Sequence, residues 1–473
     1  MTETDFLCLT PFLIISAAPV VIMIVISFIR NYTVVYGFTI FSLLLALGSL
    51  FFIQPLVPHS IGPLFIIDIY SIFFLGIIII SALLVTLLSY DYIKQSEGVR
   101  EEYYLILLIS TLGASLLAVT NHFILFFLGI ETLSISLYIL IAFQRIKNSS
   151  IEAGIKYLIL ASVSSAFLLF GMALIYTAFG TMQFSEIVSL MGSNLELSPL
   201  VTSGFAMMLV GIGFKLALVP FHMWTPDVYQ GAPSPVSAYI ATVSKGAVMA
   251  VLIRLFFNIR GYENQYLFLA ISGIAIVSMF VGNLLALRQK NIKRLLAYSS
   301  IANMGYLLTI LATGSNKGIQ ASVFYLISYF ITTLGAFGVI SLLSTYKHEA
   351  EHIDDFKGLF WKRPWIAVVF TLSLLSLAGI PITAGFIAKF YVIFEGMKAG
   401  LMLLVFSLII NSVIGLYYYL RVITTLFASE SETNLPVLTL TGKISLGFIG
   451  LIIILLGVYP GWLIDIIVRL VTL

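Results

Sequence analysis

Six residues combine a type that can move protons with a place in an otherwise apolar run: Glu131, Lys156, Lys215, His222, Lys245 and Lys389. Each stands in an apolar stretch. The densest part reads GFKLALVPFHMWTPDVYQGAPSPVSAYIATVSKG over residues 213–246, with two lysines, a histidine, an aspartate and four prolines. A charged side chain near a bilayer centre costs about 2.5–3.5 kcal/mol on insertion scales, so such residues are usually paired or functional. Desolvation makes a lysine release its proton more readily, and a neighbouring carboxylate makes it hold on. Burial and pairing together thus form a proton switch. Across about 150 mV, one charge is worth roughly 3.5 kcal/mol, and rearranging one buried pair supplies energy of that order.

The side-chain contexts differ. Glu131 lies in FFLGIETLSISLY, about ten residues into its apolar run. Lys215 precedes Pro220 by five residues, Lys245 lies mid-span in ATVSKGAVM, and Lys389 follows a second proline-containing stretch in ITAGFIAKFYVIF. From mid-span a lysine reaches neither interface easily, so snorkelling explains these three poorly. His222 either caps the broken helix or shuttles protons. Lys156 either snorkels, pairs with Glu152 at i,i+4, or modulates the central charges. Asp227 is read as a turn or capping residue, Arg421 as an interfacial or lipid anchor, and Asp68 and His59 as outer-surface residues.

The elements that hold these residues are membrane helices. The chain has 473 residues, 60% hydrophobic and 10% charged, against about 25% charged in soluble domains. Fourteen spans are predicted near 7–29, 34–54, 66–89, 103–120, 122–143, 154–178, 201–222, 235–257, 266–287, 292–312, 319–345, 364–396 (interrupted), 400–427 and 443–470. The fold class is therefore an all-α polytopic membrane protein. The acidic start MTETDF and the long first apolar run argue against a cleaved signal peptide. Fourteen lysines and arginines, Lys293 and Lys347 among them, fall in odd-numbered loops, and five, Arg254 among them, in even loops and termini. The positive-inside rule then puts both termini outside.

Span 7 contains LALVPFH and span 12 contains LAGIPIT, each with a mid-helix proline, Pro220 or Pro381, and a lysine nearby. Proline removes a backbone hydrogen bond and kinks a helix; in lipid that is tolerated where neighbours or water take up the freed groups. A matching pair of interrupted helices five spans apart predicts two inverted five-helix repeats, spans 4–8 and 9–13, with an ion site at each break. The expected organisation is one integral membrane domain over 1–473: N-terminal helices in 1–102, a first repeat in 103–257, a second in 266–427 and a C-terminal helix in 443–473.

Some chemistries are excluded. The single cysteine, Cys8, cannot make an internal disulfide, an Fe–S cluster or a cysteine zinc site. No GxGxxG or P-loop is present, so no nucleotide, flavin or haem domain is expected in this chain. The net charge of +3 is spread over short loops, which does not make a nucleic-acid surface.

KLALVPFHMWTPDVYQGAPSPVSAYIATVSK (215–245) resembles the antiporter-like membrane subunits of respiratory complex I and the related subunits of multisubunit cation/proton antiporters. NIKRLLAYSSIANMGY, LFFLGIETLSISLYIL, EAGIKYLILAS and DDFKGLFWKRPW are similar to the subunit N, or subunit 2, branch of NADH:quinone oxidoreductase. The resemblance covers nearly the whole chain. It implies fourteen helices with helices 7 and 12 broken, and a proton channel driven by quinone reduction elsewhere. It implies Glu131 as central carboxylate, Lys215 as broken-helix lysine, Lys156, Lys245 and Lys389 as further lysines, and His222 beside the break. FMN, Fe–S clusters and quinone are expected in other subunits, with neighbouring antiporter-like subunits and lipid as partners, in a bacterial inner membrane. The family often has histidine where this chain has Asn303. Asparagine orients water but does not titrate near neutral pH, which argues against a titrating relay at that position and leaves a water-mediated one open.

The leading expectation is a non-redox, proton-translocating subunit of complex I. A subunit exchanging sodium for protons is the alternative, told apart by whether flavin and Fe–S subunits co-purify. A non-conducting assembly member is the third reading.

Overall fold

The computed structural model describes residues 2–96, 100–191, 198–345, 348–429 and 439–471. Lys347 lies outside them. The described residues are almost entirely helical, with one small antiparallel ribbon, β1 (His59–Ile61) and β2 (Phe65–Ile67). The helices are α1 (Glu3–Phe28), α2 (Tyr32–Ile53), α3 (Ile69–Lys94), α4 (Glu101–Ala118), α5 (Phe123–Ile141), α6 (Asn148–Phe179), α7 (Phe184–Met191), α8 (Pro199–Leu216), α9 (Trp224–Gly231) and α10 (Ser234–Tyr239). After a π-turn at Ile240–Ser244 come α11 (Lys245–Asn258), α12 (Gln265–Ala286), α13 (Ile292–Leu311), α14 (Asn316–Leu343), α15 (Leu359–Lys362), α16 (Pro364–Ala378), α17 (Ala384–Lys398), α18 (Met402–Leu426), α19 (Leu440–Val458) and α20 (Gly461–Val471).

Among the described residues, twelve helical stretches are long and apolar enough to cross a membrane. The fold is that of an all-α, multi-pass membrane protein. α13 and the interrupted pair α16–α17 correspond to the other two predicted spans; Lys293 and Arg294 lower the apolar character of the first, and the break shortens the second.

Both predicted interruptions are present, and proline sterics place them. A proline ring clashes with the carbonyl of residue i−4. For Pro220 that residue is Leu216, where α8 ends; for Pro381 it is Leu377, one residue before α16 ends. Proline alone is not sufficient, because α1 runs through Pro11 and Pro19 without a break. Each true break also holds a left-handed residue, Ala217 (φ 61°) in the first and Gly379 (φ 87°) in the second.

Contacts divide the chain into two compact units. The first comprises Met1–Thr86, Glu97–Leu216 and Val243–Leu269. In it α6 packs along α8, α4 along α5, and α11 against α4. Small residues let the backbones approach closely: a Cβ at Gly171 would lie 2.6 Å from the Gly204 carbonyl oxygen. The second comprises Leu87–Ser96, Ala217–Thr242 and Ala270–Leu473. α14 runs through it, touching α10, α13, α16, α17 and α19, and is buried along most of its length.

Candidate functional site

The first unit assembles Glu131, Lys215 and Lys245. Lys215 occupies the last turn of α8 and is only 3% exposed. Its ammonium donates to Ser134 Oγ at 2.5 Å and to Tyr157 Oη at 3.4 Å, and lies 5.2 Å from the Tyr157 ring centroid. Cation–ring attraction adds to hydrogen bonding in such a desolvated place. The position is also favoured by the negative end of the α8 dipole.

Glu131 and Ser134 lie three residues apart on α5, so they are neighbours on one helix face. The Glu131 carboxylate accepts a hydrogen bond from Ser165 of α6 at 2.5 Å. Carboxylate and ammonium are therefore each held by a serine hydroxyl rather than by one another. α5 is fixed at its start by His122, whose Nδ1 accepts from the Ile124 N–H at 3.1 Å. Burial pushes the His122 imidazole below its ordinary pKa, with Glu186 opposing, which preserves the neutral form that can accept.

Lys245 is wholly buried and begins α11 directly after the π-turn. A π-turn inserts one extra residue and rotates the helix beyond it, and such turns often mark functional sites. Its signal in sequence is weak. Lys156 is elsewhere: it pairs with Glu152 at 2.7 Å on α6, with its side chain 44% exposed.

The second unit holds Lys389 in the second turn of α17, only 7% exposed. Its ammonium donates to the Leu377 and Ala378 carbonyls at 2.9 Å each and to Ser412 Oγ at 3.0 Å. The two carbonyls belong to the last turn of α16, whose final carbonyls have no intrahelical partner. Lys389 thus caps the first half of its own broken helix, using all three of its donors. Nearby, Asn303 accepts from Tyr325 Oη at 2.6 Å, Ser300 and Tyr329 share a 2.5 Å hydrogen bond, and Ser299 bonds Tyr419. Neutral hydroxyls and an amide make up this polar cluster. His222, in the first break, is buried, and its Nδ1 has no hydrogen-bond partner among the described residues.

The structure corrects several readings of charged residues. Asp68 is not an outer-surface residue: it is buried and bonded to Arg254 at 2.8 Å and to Ser71. Arg254 belongs to α11 rather than to a loop, and its guanidinium lies 4.7 Å from the Tyr70 ring centroid. Arg421 is no lipid anchor: it donates to the carbonyls of Leu287 and Gln289, just past the end of α12. Lys293 is a helical, fully buried cation, not a loop charge. It pairs with Glu349 at 2.6 Å and donates to the Ala232 carbonyl, while Tyr92 donates to the same carboxylate. Asp227 bonds Arg294 at 2.6 Å. Apart from the local Asp68–Ser71 bond, these pairs join distant parts of the chain, and sequence spacing carries no signal for that.

The family described as NADH:quinone oxidoreductase/Mrp antiporter, TM, matches residues 120–415. NADH-quinone oxidoreductase subunit N of Methylococcus capsulatus is 45% identical over 470 residues, 98% of this chain and 95% of that protein. A chain of respiratory complex I from Thermus thermophilus has a TM-score of 0.84 at 33% identity, covering 96% of this chain and 98% of that one. A chain of the Mrp complex from Dietzia sp. has a TM-score of 0.88 at 20% identity, over 100% of this chain and 97% of that one; that likeness shows the fold alone. The chain therefore belongs to the NADH:quinone oxidoreductase/Mrp antiporter family of membrane subunits, as a homologue of subunit N of complex I.

Proposed function

We propose that this chain carries protons across the membrane within complex I, with Glu131 and Lys215 as the gated pair, Lys245 as the midplane carrier and Lys389 as the terminal site toward the outside. The observation that carries this reading is the burial of all three lysines, each on a broken or π-distorted helix. Lys215 is held by Ser134, and Glu131 stands one turn back on the same helix. A shift of the ammonium from hydroxyl to carboxylate would form the pair and hold the proton. Return to the hydroxyl would weaken that hold and free the proton to move on. His222 would serve the break and Lys156 would modulate the pair.

As a member of complex I the chain serves NADH-to-quinone electron transfer without taking part in it. FMN, Fe–S clusters and quinone would reside in other subunits, and neighbouring antiporter-like subunits would flank this one in a bacterial inner membrane. The excess of lysine and arginine in odd loops supports outer placement of both termini. The two interrupted helices support inverted repeats over 103–257 and 266–427. Sodium/proton exchange has a shared fold in its favour, at far lower identity than the complex I relative.

Proton pumping by reconstituted complex carrying Lys215→Ala or Glu131→Gln tests the assignment. Both variants are expected to lose most of it, and full pumping by both overturns the reading. Co-purification without flavin and Fe–S subunits would favour the antiporter.

A further inference from the structure

Two cavities of the second unit lie along the same pair of helices, α14 and α17. The inner one is small, about 10 Å³, and is lined by Asn303, Tyr325, Ser328, Tyr329, Ser376 and Lys389, among others. That is the lower limit for holding one water. The outer one is open, about 220 Å³, and its polar lining comes from Lys317, Gln320, Tyr391, Glu395 and Lys398. On α14 the lining residues run 317, 320, 324 for the outer cavity and 325, 328, 329 for the inner. At 3.6 residues per turn these positions fall within about one half of the helix surface. On α17 the inner cavity takes Gly385 and Lys389, and the outer takes Tyr391 and Glu395. The two cavities therefore succeed one another along the axes of α14 and α17, and on α17 they turn about a third of the way round the helix.

Among the lining residues of the outer cavity, an aromatic pair stands nearest in sequence to those of the inner one. Phe324 and Tyr391 meet edge to face with ring centroids 5.5 Å apart. Phe324 adjoins Tyr325 of the inner cavity in sequence, and Tyr391 is two residues past Lys389.

Among the described residues, Glu395 is the sole carboxylate of the outer cavity's lining; it is buried, with Lys398 3.5 Å from it. It sits six residues beyond Lys389 on α17, about 9 Å along the axis. A buried carboxylate facing water-sized space, next along the helix from a proton-bearing lysine, has the chemistry of a proton acceptor. Partnership with Lys398 does not account for this placement, because an i,i+3 pair with a half-exposed lysine needs neither burial nor a cavity.

We propose that Glu395 is the proton-release residue of the second unit, reached from Lys389 past the Phe324–Tyr391 pair. This rests on Lys389 being the terminal proton site. The Lys389 ammonium gives its proton through water to the Glu395 carboxylate and becomes a neutral amine. The resulting carboxylic acid passes the proton to water in the open cavity and returns to carboxylate.

Reconstituted complex carrying Glu395→Gln, with assembly checked on native gels, is expected to show at least a threefold lower initial rate of proton pumping. Glu395→Asp, which keeps the charge, should retain more than half. In parallel, Gln320→Cys should be labelled from the outer side by a membrane-impermeant maleimide. Assembled Glu395→Gln complex pumping at the wild-type rate overturns the proposal, and so does an unlabelled Gln320→Cys. If Lys389→Met stops pumping while Glu395→Gln does not, only this outlet falls. If Lys389→Met pumps normally, the terminal-site reading falls with it.

Discussion

The two broken helices carry the same residue type and use it differently. In the first, Lys215 precedes the break and reaches sideways to the hydroxyls of two neighbouring helices, α5 and α6. In the second, Lys389 follows the break and reaches back to the carbonyls of its own first half, α16. Both cations sit where a helix ends and its dipole is negative. A hydroxyl can turn and offer either a lone pair or a proton, so Lys215 can exchange it for the Glu131 carboxylate on the same α5 face. A backbone carbonyl at a helix end offers no such alternative. The first site is built for exchange of partners, and the second couples the charge of one lysine to the integrity of a break. Loss of a proton at Lys389 removes one of three donors and loosens the cap.

The largest test of this contrast is Lys389→Met. It leaves two buried carbonyls without their donor, at about 1–3 kcal/mol each. More than a tenfold loss of proton pumping by reconstituted complex is expected, together with lower assembly yield. Lys215→Met should lower pumping as strongly while sparing assembly, because the hydroxyls it abandons can bond elsewhere. Equal assembly yields for the two would erase the distinction.

Gly379→Ala should come next. Its φ of 87° disfavours any side chain, and the new Cβ would lie 2.8 Å from Lys389 Cδ. The cap would be displaced without removing a charge, giving about a three- to tenfold loss of pumping. Ser134→Ala is expected to cost about threefold. It removes the hydroxyl that holds Lys215 away from Glu131, so the pair should lock; Ser134→Thr should restore activity.

At the small end, Lys156→Met should change pumping by less than twofold, since Lys156 is half-exposed and paired with Glu152. Ala217→Gly should leave pumping unchanged. It should raise stability in thermal unfolding by up to about 1 kcal/mol, because Ala217 now bears the left-handed strain that glycine relieves. A large loss of pumping in Ala217→Gly would mean that the strain itself is used.

Much of this site is legible in the linear chain. Hydropathy marks the spans, since lipid requires apolar residues over a full crossing. Pro220 and Pro381 mark the breaks, because the ring clash acts within four residues. The buried candidates stand out because a charge in an apolar run is costly wherever its partner lies. What the sequence by itself determined are therefore the quantities set by local physics: crossings, interruptions and the positions of titratable groups. Only the tertiary structure decided which acceptor each cation takes. Ser134 is 81 residues from Lys215, Asp68 is 186 from Arg254 and Glu349 is 56 from Lys293. Pairing at that separation depends on which helices lie side by side, and packing between apolar faces, which hydropathy cannot tell apart, settles that choice.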